Sequence, residues 1–378
     1  MHRLCIYVLY DSENIFDDYI SNILKEMKLL CEKVVVIINA EDTSKDYVGD
    51  LSSADKIIVR QNKGYDAGAY KDCLCNDMTR QELQEFDEIV LMNDTFYGPI
   101  YPLEDSFRIM EKEDSDFWGM TKYAGLIKEG KEIYPPHIQS YFIVLKKNII
   151  KDERFYKFWD DLQYPNSVKK AIQDFEVGFN VYLNEIGFCG KALTELFGIL
   201  SLEKNSGNPY LLNSLELIRD MKVPFLKRKS LDLNNNGYPN ALEAFQYLET
   251  NELYDVNIIR RHLHRKCSEN QYVGLFNFCR LEHFYHKYDE IYIYGAGVIG
   301  RNLRLFFEYR NMPICGYIVS QKDKSLQEDV IQFDELEFKE NVGIIIAIKR
   351  KEIALEIFES IISKYKDKQI LLPDLFTD

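Results

Sequence analysis

The sequence predicts an α/β protein in which a larger amino-terminal region with a parallel sheet precedes a smaller β-α-β unit. Three observations carry this. Short Val/Ile-rich runs of strand length alternate with apolar stripes of helical period through the first third of the chain. Polar clusters close those runs, as strand carboxyl ends that face a ligand would. Near the carboxyl terminus a Gly-x-Gly-x-x-Gly follows a fresh apolar run directly.

The elements follow in order. Residues 4–9 are a first strand, and residues 20–30 carry apolar side chains at 20, 23, 24, 27 and 30, a helical stripe. Residues 33–39 are a Val/Ile strand ending in Asn39-Ala40-Glu41-Asp42. Residues 56–60 are a third strand, followed by Gln61-Asn62-Lys63-Gly64. Helices are predicted over 66–74 and 79–86, then a strand over 88–92 that stops at Asn93-Asp94-Thr95. Strands separated by helices mean βαβ units and a sheet covered on both faces. Beyond residue 116 the pattern predicts strands over 116–120 and 137–145 and helices over 155–162 and 168–186. Residues 196–238 are loop-rich, with Asn205-Ser206-Gly207-Asn208-Pro209 and Leu233-Asn234-Asn235-Asn236-Gly237. Helices over 241–253 and 256–266 come next. The last unit has strands at 290–294, 314–319, 343–348 and 369–372 and helices at 301–309 and 351–364. Three segments result: 1–255, a helical linker at 256–285, and 286–378, with the boundary near 265–286.

Composition narrows the function. The 378 residues carry a net charge of -14, a poor match to nucleic acid or to an anionic bilayer. No apolar stretch approaches the ~20 residues of a membrane helix. The start has too short an apolar run for a signal peptide. Eight scattered cysteines, with only Cys73 and Cys75 close together, read as reduced thiols. A cytoplasmic protein is expected, with at most peripheral contact at the inner face of the membrane. The sequence does not give its oligomeric state.

Five constellations have chemical potential. Asp94, ending a buried strand, has the residue type that grips a divalent cation on a diphosphate, although Asn93-Asp94-Thr95 alone is ordinary turn composition. The stretch from Arg60 to Lys71 interleaves Gly64 and Gly68 with Arg60, Asn62, Lys63 and Asp66. Glycines there let a backbone approach a ligand, and the same composition serves a tight turn with a helix cap at Asp66. Glu176 lies beside the core stripe Ile172, Phe175, Phe179 and Leu183, where a half-buried carboxylate works as a general base; a solvated acid on an amphipathic helix is the plainer reading. Lys227-Arg228-Lys229 can neutralise phosphate or simply sit in solvent. Gly295, Gly297 and Gly300 have a strand before and a helix after, without an acidic residue closing the next strand; Asp323 comes late. The pairs His262/His264 and His283/His286 show no H-E-x-x-H spacing.

Taken together, residues 1–255 resemble the rhamnan synthesis protein F family of bacterial glycosyltransferases. The resemblance rests on Arg60-x-Asn62-x-Gly64-x-Asp66-x-Gly68, Met92-Asn93-Asp94-Thr95-x-x-Gly98-Pro99, Trp118-Gly119-Met120-Thr121 and His137-Ile138-Gln139-Ser140-Tyr141-Phe142. Phe158-Trp159, Phe175-Glu176-Val177-Gly178, Asn208-Pro209 and Pro224-Phe225-Leu226-Lys227-Arg228 complete it. It implies a GT-A-like nucleotide-sugar fold and transfer of a deoxyhexose, often rhamnose, to a growing surface glycan. Residues 286–378 look like the Rossmann-like modules appended to some polysaccharide-synthesis enzymes.

The resemblance assigns roles residue by residue. Asp94 falls where the metal-gripping Asp is expected, and Asn93 stands in place of a preceding Asp. Glu176 is the implied base of an inverting displacement. His137 and Gln139 are expected on the acceptor side, Lys227 and Arg228 at the diphosphate. Asn39, Glu41, Arg60, Asn62, Gly64, Asp66, Asn93 and Asp94 are expected donor neighbours. Mg²⁺ or Mn²⁺ is the candidate cofactor, and a nicotinamide cofactor is not expected. The partners implied are a nucleotide-diphosphate sugar and a glycan or lipid-linked glycan. Two other readings stand beside this one: an NAD(P)- or sugar-nucleotide-modifying enzyme centred on Gly295–Gly300, and a non-catalytic scaffold of polysaccharide assembly.

Overall fold

The computed structural model describes residues 1–128, 130–197, 210, 213–231, 239–266, 278–309, 311–321, 329–337, 340–348, 350–366 and 369–373. The chain divides into two compact units, Met1–Arg228 with Tyr247–Ile258, and Lys229–Gln246 with Ile259–Asp378. The Asn205–Pro209 and 233–237 runs, Asp323, and much of the 265–286 boundary region lie outside the described residues.

The first unit is built on a seven-stranded sheet. Its strands are β1 (Arg3–Tyr10), β2 (Lys33–Ala40), β3 (Lys56–Gln61) and β4 (Glu88–Asn93), then β6 (Phe117–Gly119), β7 (Phe142–Lys146) and β8 (Gly190–Ala192). β5 (Phe96–Tyr97) lies outside this sheet. The order is β8-β6-β7-β4-β1-β2-β3. β1 to β4 are mutually parallel, as the alternating pattern predicts. β7 runs antiparallel to both β4 and β6, so the sheet is mixed rather than purely parallel. β1, β2 and β4 are buried on both faces, which is why they read as unbroken Val/Ile/Leu runs, whereas β3 is the half-exposed edge. From β1 the chain steps outward to β2 and β3, then returns to the other side of β1 with β4. That reversal is the switch point at which open sheets of this kind bind ligands.

The helices cover the sheet. α1 (Asp18–Leu30) buries Ile20, Ile23, Leu24 and Met27, the expected stripe. α2 (Tyr65–Asp72) continues into a π-helical turn (Cys73–Asp77), and α3 (Arg80–Glu85) starts on a Thr79/Glu82 capping box. α4 (Leu103–Met110), absent from the expected elements, packs Phe107 on Trp118. α5 (Glu153–Asp161) carries Trp159. The predicted 168–186 helix is α6 (Val168–Ala171), a π-helical stretch (Ile172–Val177) and α7 (Gly178–Glu185). Trp159 is fully buried and meets Phe175 at 5.5 Å, Phe179 at 5.3 Å and Tyr70 at 6.4 Å between ring centroids. It thereby fixes the π-helical stretch against α2.

One predicted strand breaks in two. His137–Ile138 pairs with Lys122–Tyr123, apart from the large sheet, and only Phe142–Lys146 joins it. Residues 139–141 leave the ladder because their polar groups have other buried partners: Gln139 N–H donates to Thr121 O, and the Ser140 N–H to Glu176. A second two-residue ladder joins β9 (Leu226–Lys227) antiparallel to β5, with Lys227 opposite Phe96.

The second unit contains a five-stranded, all-parallel sheet. Its strands are β10 (Glu290–Tyr294), β11 (Gly316–Val319), β12 (Val330–Gln332), β13 (Val342–Ile346) and β14 (Ile370–Leu371), in the order β12-β11-β10-β13-β14. β12 was not predicted. Gly295, Gly297 and Gly300 lie between β10 and α8 (Val298–Tyr309) and in its first turn. A Cβ on Gly300 would stand 1.8 Å from the Gly295 carbonyl oxygen, so the third glycine permits close packing of helix on strand. A Cβ on Gly297 would meet nothing.

Trp159 tests the packing described here. Its indole N–H has no partner among the described residues, so its contribution is burial. Trp159→Ala should cost about 3–5 kcal/mol, read as a lower urea midpoint with unchanged slope. A loss below about 1 kcal/mol would mean that the aromatic cluster does not hold α2 to the π-helical stretch.

Candidate active site

The carboxyl ends of β1 to β4 open onto one cavity of 720 Å³. Asn39, Glu41, Asn62, Gly64, Asp66, Asn93, Asp94 and Arg228, all expected donor neighbours, line it. Lys63, named within the glycine-bearing stretch, lines it too, and Tyr10, Tyr65, Thr95 and the Tyr164-Pro165-Asn166 turn between α5 and α6 join them unassigned by the sequence. Lys63 was legible inside the glycine-bearing motif. The Tyr164 turn, a hundred residues further along, carried no signal beyond its proline.

The loop after β3 is shaped by its glycines. Gly64 (φ +82°) and Tyr65 (φ +57°) are both left-handed, which turns the chain abruptly into α2. A Cβ on Gly68 would stand 2.1 Å from the Lys63 carbonyl oxygen, so this position accepts only glycine without rearrangement. Arg60, expected at the nucleotide, does not line the cavity. Its guanidinium pairs with Asp72 (2.8 Å) and donates to Asn39 Oδ1 and the Lys63 carbonyl, bracing the loop from behind. Lys63 stands over the Tyr164 ring at 4.3 Å. At the rim, Glu41 accepts from Tyr10 Oη (3.0 Å) and Asn62 Nδ2 (3.1 Å).

The β5–β9 ladder positions the basic pair, of which Arg228 lines the large cavity and Lys227, also expected at the diphosphate, does not. Arg228 N–H donates to Thr95 O, and Lys227 Nζ donates to Thr95 Oγ1 (2.9 Å) above the Tyr141 ring. Arg228 Nη1 donates to Asp94 Oδ2 (3.0 Å), to the Asp94 carbonyl (2.7 Å) and to Tyr19 Oη (2.6 Å). Burial pushes the Asp94 carboxyl above its usual range, and the Arg228 charge offsets part of that. Asn93 Oδ1 accepts from Thr95 Oγ1 (2.7 Å), which orients its amide to donate from Nδ2 to Asp66 Oδ2 (2.9 Å). The Ala67 N–H donates to Asp66 Oδ1 (2.9 Å). Burial also raises the Asp66 carboxyl, and nearby Glu176 adds to that.

Glu176 lies in a second cavity of 140 Å³, whose wall includes Asp66, Ser140, Ile172 and Phe175. Tyr65 and Asp66 line both cavities. Glu176 Oε2 accepts from Ser140 N–H (2.9 Å) and Oγ (2.6 Å), and Oε1 faces His137 Nε2 at 3.5 Å. Burial alone would raise this carboxyl, but the His137 and Ser140 contacts outweigh it and hold the pKa at about 2. His137 and Gln139, expected at the acceptor, are buried and line neither cavity. His137 holds Glu176, its Nδ1 engaged by the Pro135 carbonyl. Gln139 accepts from Thr121.

A metal ion fits only in part. Among the described residues no group of three His, Cys, Asp or Glu side chains gathers as a cation site. Asp94 offers one carboxylate, with Oδ2 committed to Arg228. That set suits a cation arriving with phosphates rather than a resident one, since Mg²⁺ is usually held by one or two carboxylates plus substrate oxygens. No helix among the described residues is long and apolar enough to cross a membrane.

Fold and site thus define an α/β protein with a polar, cation-bearing cleft at its strand carboxyl ends. Residues 34–296 match the family described as rhamnan synthesis protein F, and the chain belongs to that family. The uncharacterized protein y4gN of Sinorhizobium fredii is 26% identical over 174 residues, 46% of this chain and 43% of that protein. The virulence protein VirA of Vibrio anguillarum is 26% identical over 224 residues, 52% of this chain and 69% of its own. The chain therefore spans less than half of the first relative and about two-thirds of the second.

The Glu176 environment has a pH signature. Its folded pKa of about 2 lies below the ordinary 4.5, so its contribution to stability is complete above about pH 5 and is lost as the pH falls toward 2. Glu176→Gln should therefore be less stable than the native chain at pH 7 by about 3 kcal/mol, with the gap closing by pH 2. Melting temperature against pH measures it. Parallel curves would mean that Ser140 and His137 do not hold the carboxylate.

Proposed function

We propose that the protein is a GT-A-like glycosyltransferase that moves a sugar, of the deoxyhexose class typified by rhamnose, from a nucleoside-diphosphate donor to a growing bacterial polysaccharide. The observation that carries this reading is the convergence of four strand ends on one cavity that also holds a half-buried arginine. Its volume lies within the ~300–1,000 Å³ typical of ligand sites. The family's description, rhamnan synthesis, supports the sugar chemistry.

The donor occupies the large cavity. Glu41, with Tyr10 and Asn62 at the rim, suits a ribose diol. Arg228, with Lys63 and Lys227 nearby, faces the diphosphate. Arg228 leaves Nε and Nη2 without an acceptor among the described residues, and a guanidinium fork matches phosphate oxygens. As the sugar–phosphate bond breaks, charge grows on the leaving diphosphate, and preorganised cations lower that barrier. Asp94 would hold a divalent cation brought in with the donor, and that ion would supply further charge neutralisation. Direct displacement inverts the anomeric carbon. Two carboxylates, Asp66 and Glu176, stand where an incoming hydroxyl would lose its proton. The chain acts from the cytoplasm, where nucleotide sugars are made, with at most peripheral contact at the membrane.

A thermal-shift series tests the donor site. dTDP, UDP or GDP should raise the melting temperature. Mn²⁺ alone should leave it unmoved, and Mn²⁺ with the preferred nucleotide should raise it beyond the nucleotide alone. Arg228→Lys keeps a charge for Asp94 but loses the fork, so affinity should fall about tenfold. No shift with any of the three nucleotides would count against the transferase reading.

A further inference from the structure

Two carboxylates face the small cavity, and their surroundings divide them sharply. Glu176 Oε2 already accepts two hydrogens from Ser140, and Oε1 faces His137. Among the described residues Asp66 accepts one hydrogen on each oxygen, from Ala67 and Asn93, so each oxygen keeps a lone pair. Asp66 also forms, with Tyr65, the wall common to the two cavities, whereas Glu176 lines only the smaller. At 140 Å³ the smaller cavity has room for roughly five waters, or for part of one sugar ring. Its remaining wall includes Ser140, Val168 and Ile172, an apolar side beside a polar one.

Resting on the transferase reading above, we propose that the small cavity is the subsite for the acceptor sugar and that Asp66, rather than Glu176, is the catalytic base. The acceptor O–H bond breaks and its proton passes to a carboxylate oxygen of Asp66. The freed oxygen pair forms the bond to the sugar C1, and the C1–O bond to phosphate breaks with its electrons leaving on the diphosphate. Glu176, held ionised, accepts a hydrogen bond from the acceptor and orients it.

The charges around Asp66 support this division. Glu176 faces it from the π-helical stretch, Lys227 from β9, and Asn93 donates from the end of β4; Tyr70 on its own helix is buried and neutral. Burial and Glu176 raise the Asp66 carboxyl, while Asn93, Ala67 and Lys227 restrain it. A base is most effective when its pKa lies closer to the working pH, and Glu176 is held at about 2. The amide at position 93 also acquires a reason. A carboxylate there would set two like charges against each other and lift Asp66 further.

The test uses the full chain with dTDP-rhamnose, UDP-glucose and GDP-mannose as donors and methyl rhamnopyranoside as acceptor, following nucleotide release. With the donor that turns over, kcat/KM should fall on the acid side with an apparent pKa above the ordinary carboxylate range. Asp66→Asn should lose at least ~100-fold in kcat while still binding the nucleotide measurably. Asn93→Asp should move the acid limb to higher pH. Glu176→Gln should raise KM for the acceptor and keep kcat within about tenfold. Asp66→Asn retaining kcat, or Glu176→Gln abolishing both kcat and the acid limb, would overturn the proposal. So would an acid limb unmoved in Asn93→Asp, which remains informative if Asp66→Asn does not fold. Nucleotide binding by calorimetry reports on the transferase reading separately. Binding with the wrong variant pattern removes only the base assignment, and neither binding nor turnover removes both.

Discussion

The site depends on one ion pair. Asp94 directly follows a strand buried on both faces and is itself buried, where an unpaired carboxylate is costly. Its partner, Arg228, comes from 134 residues later in the chain. The guanidinium satisfies the carboxylate, the Asp94 carbonyl and Tyr19 at once, so it locks β9 onto β5 and sets the floor of the cleft. Such a pair adds little net stability once desolvation is counted, yet breaking it would leave a buried charge alone. Its value lies in fixing where positive charge stands relative to the strand ends.

A second constraint acts through hydrogen bonds and one histidine–carboxylate contact. Thr95 turns the Asn93 amide, Asn93 holds Asp66, and Ser140 with His137 holds Glu176. Each side chain is oriented by a neighbour from a different element. Two acids a short way apart therefore experience opposite environments, the arrangement that separates proton-accepting from charge-holding roles.

Much of this was legible in the sequence. Strand ends could be read from apolar runs because parallel strands are covered on both sides, and eight expected donor residues do line one cavity. What failed to read was tertiary. Arg60 looks like a phosphate ligand in a motif, but Asp72, one helix later, takes up its charge. His137 and Gln139 look like acceptor contacts, but they are buried behind Glu176 and beside Thr121. The 137–145 run alternates as a strand does, yet Ser140 must leave the ladder to reach Glu176. The Tyr164 turn and β12 are too short to leave a periodic trace. No local pattern encodes a partner far along the chain.

The π-helical stretch over Ile172–Val177 has a consequence for how this region tolerates length change. A π turn houses one residue more than an α turn while the helices on either side keep their direction. Phe175 and Phe179 remain on Trp159 while the extra residue lets Glu176 reach Ser140. A homologue one residue shorter here would close the bulge into plain α-helix and still bury its aromatics, but its acid would swing away from the cleft. Single-residue indels at this bulge would therefore move the acid while leaving the aromatic packing in place.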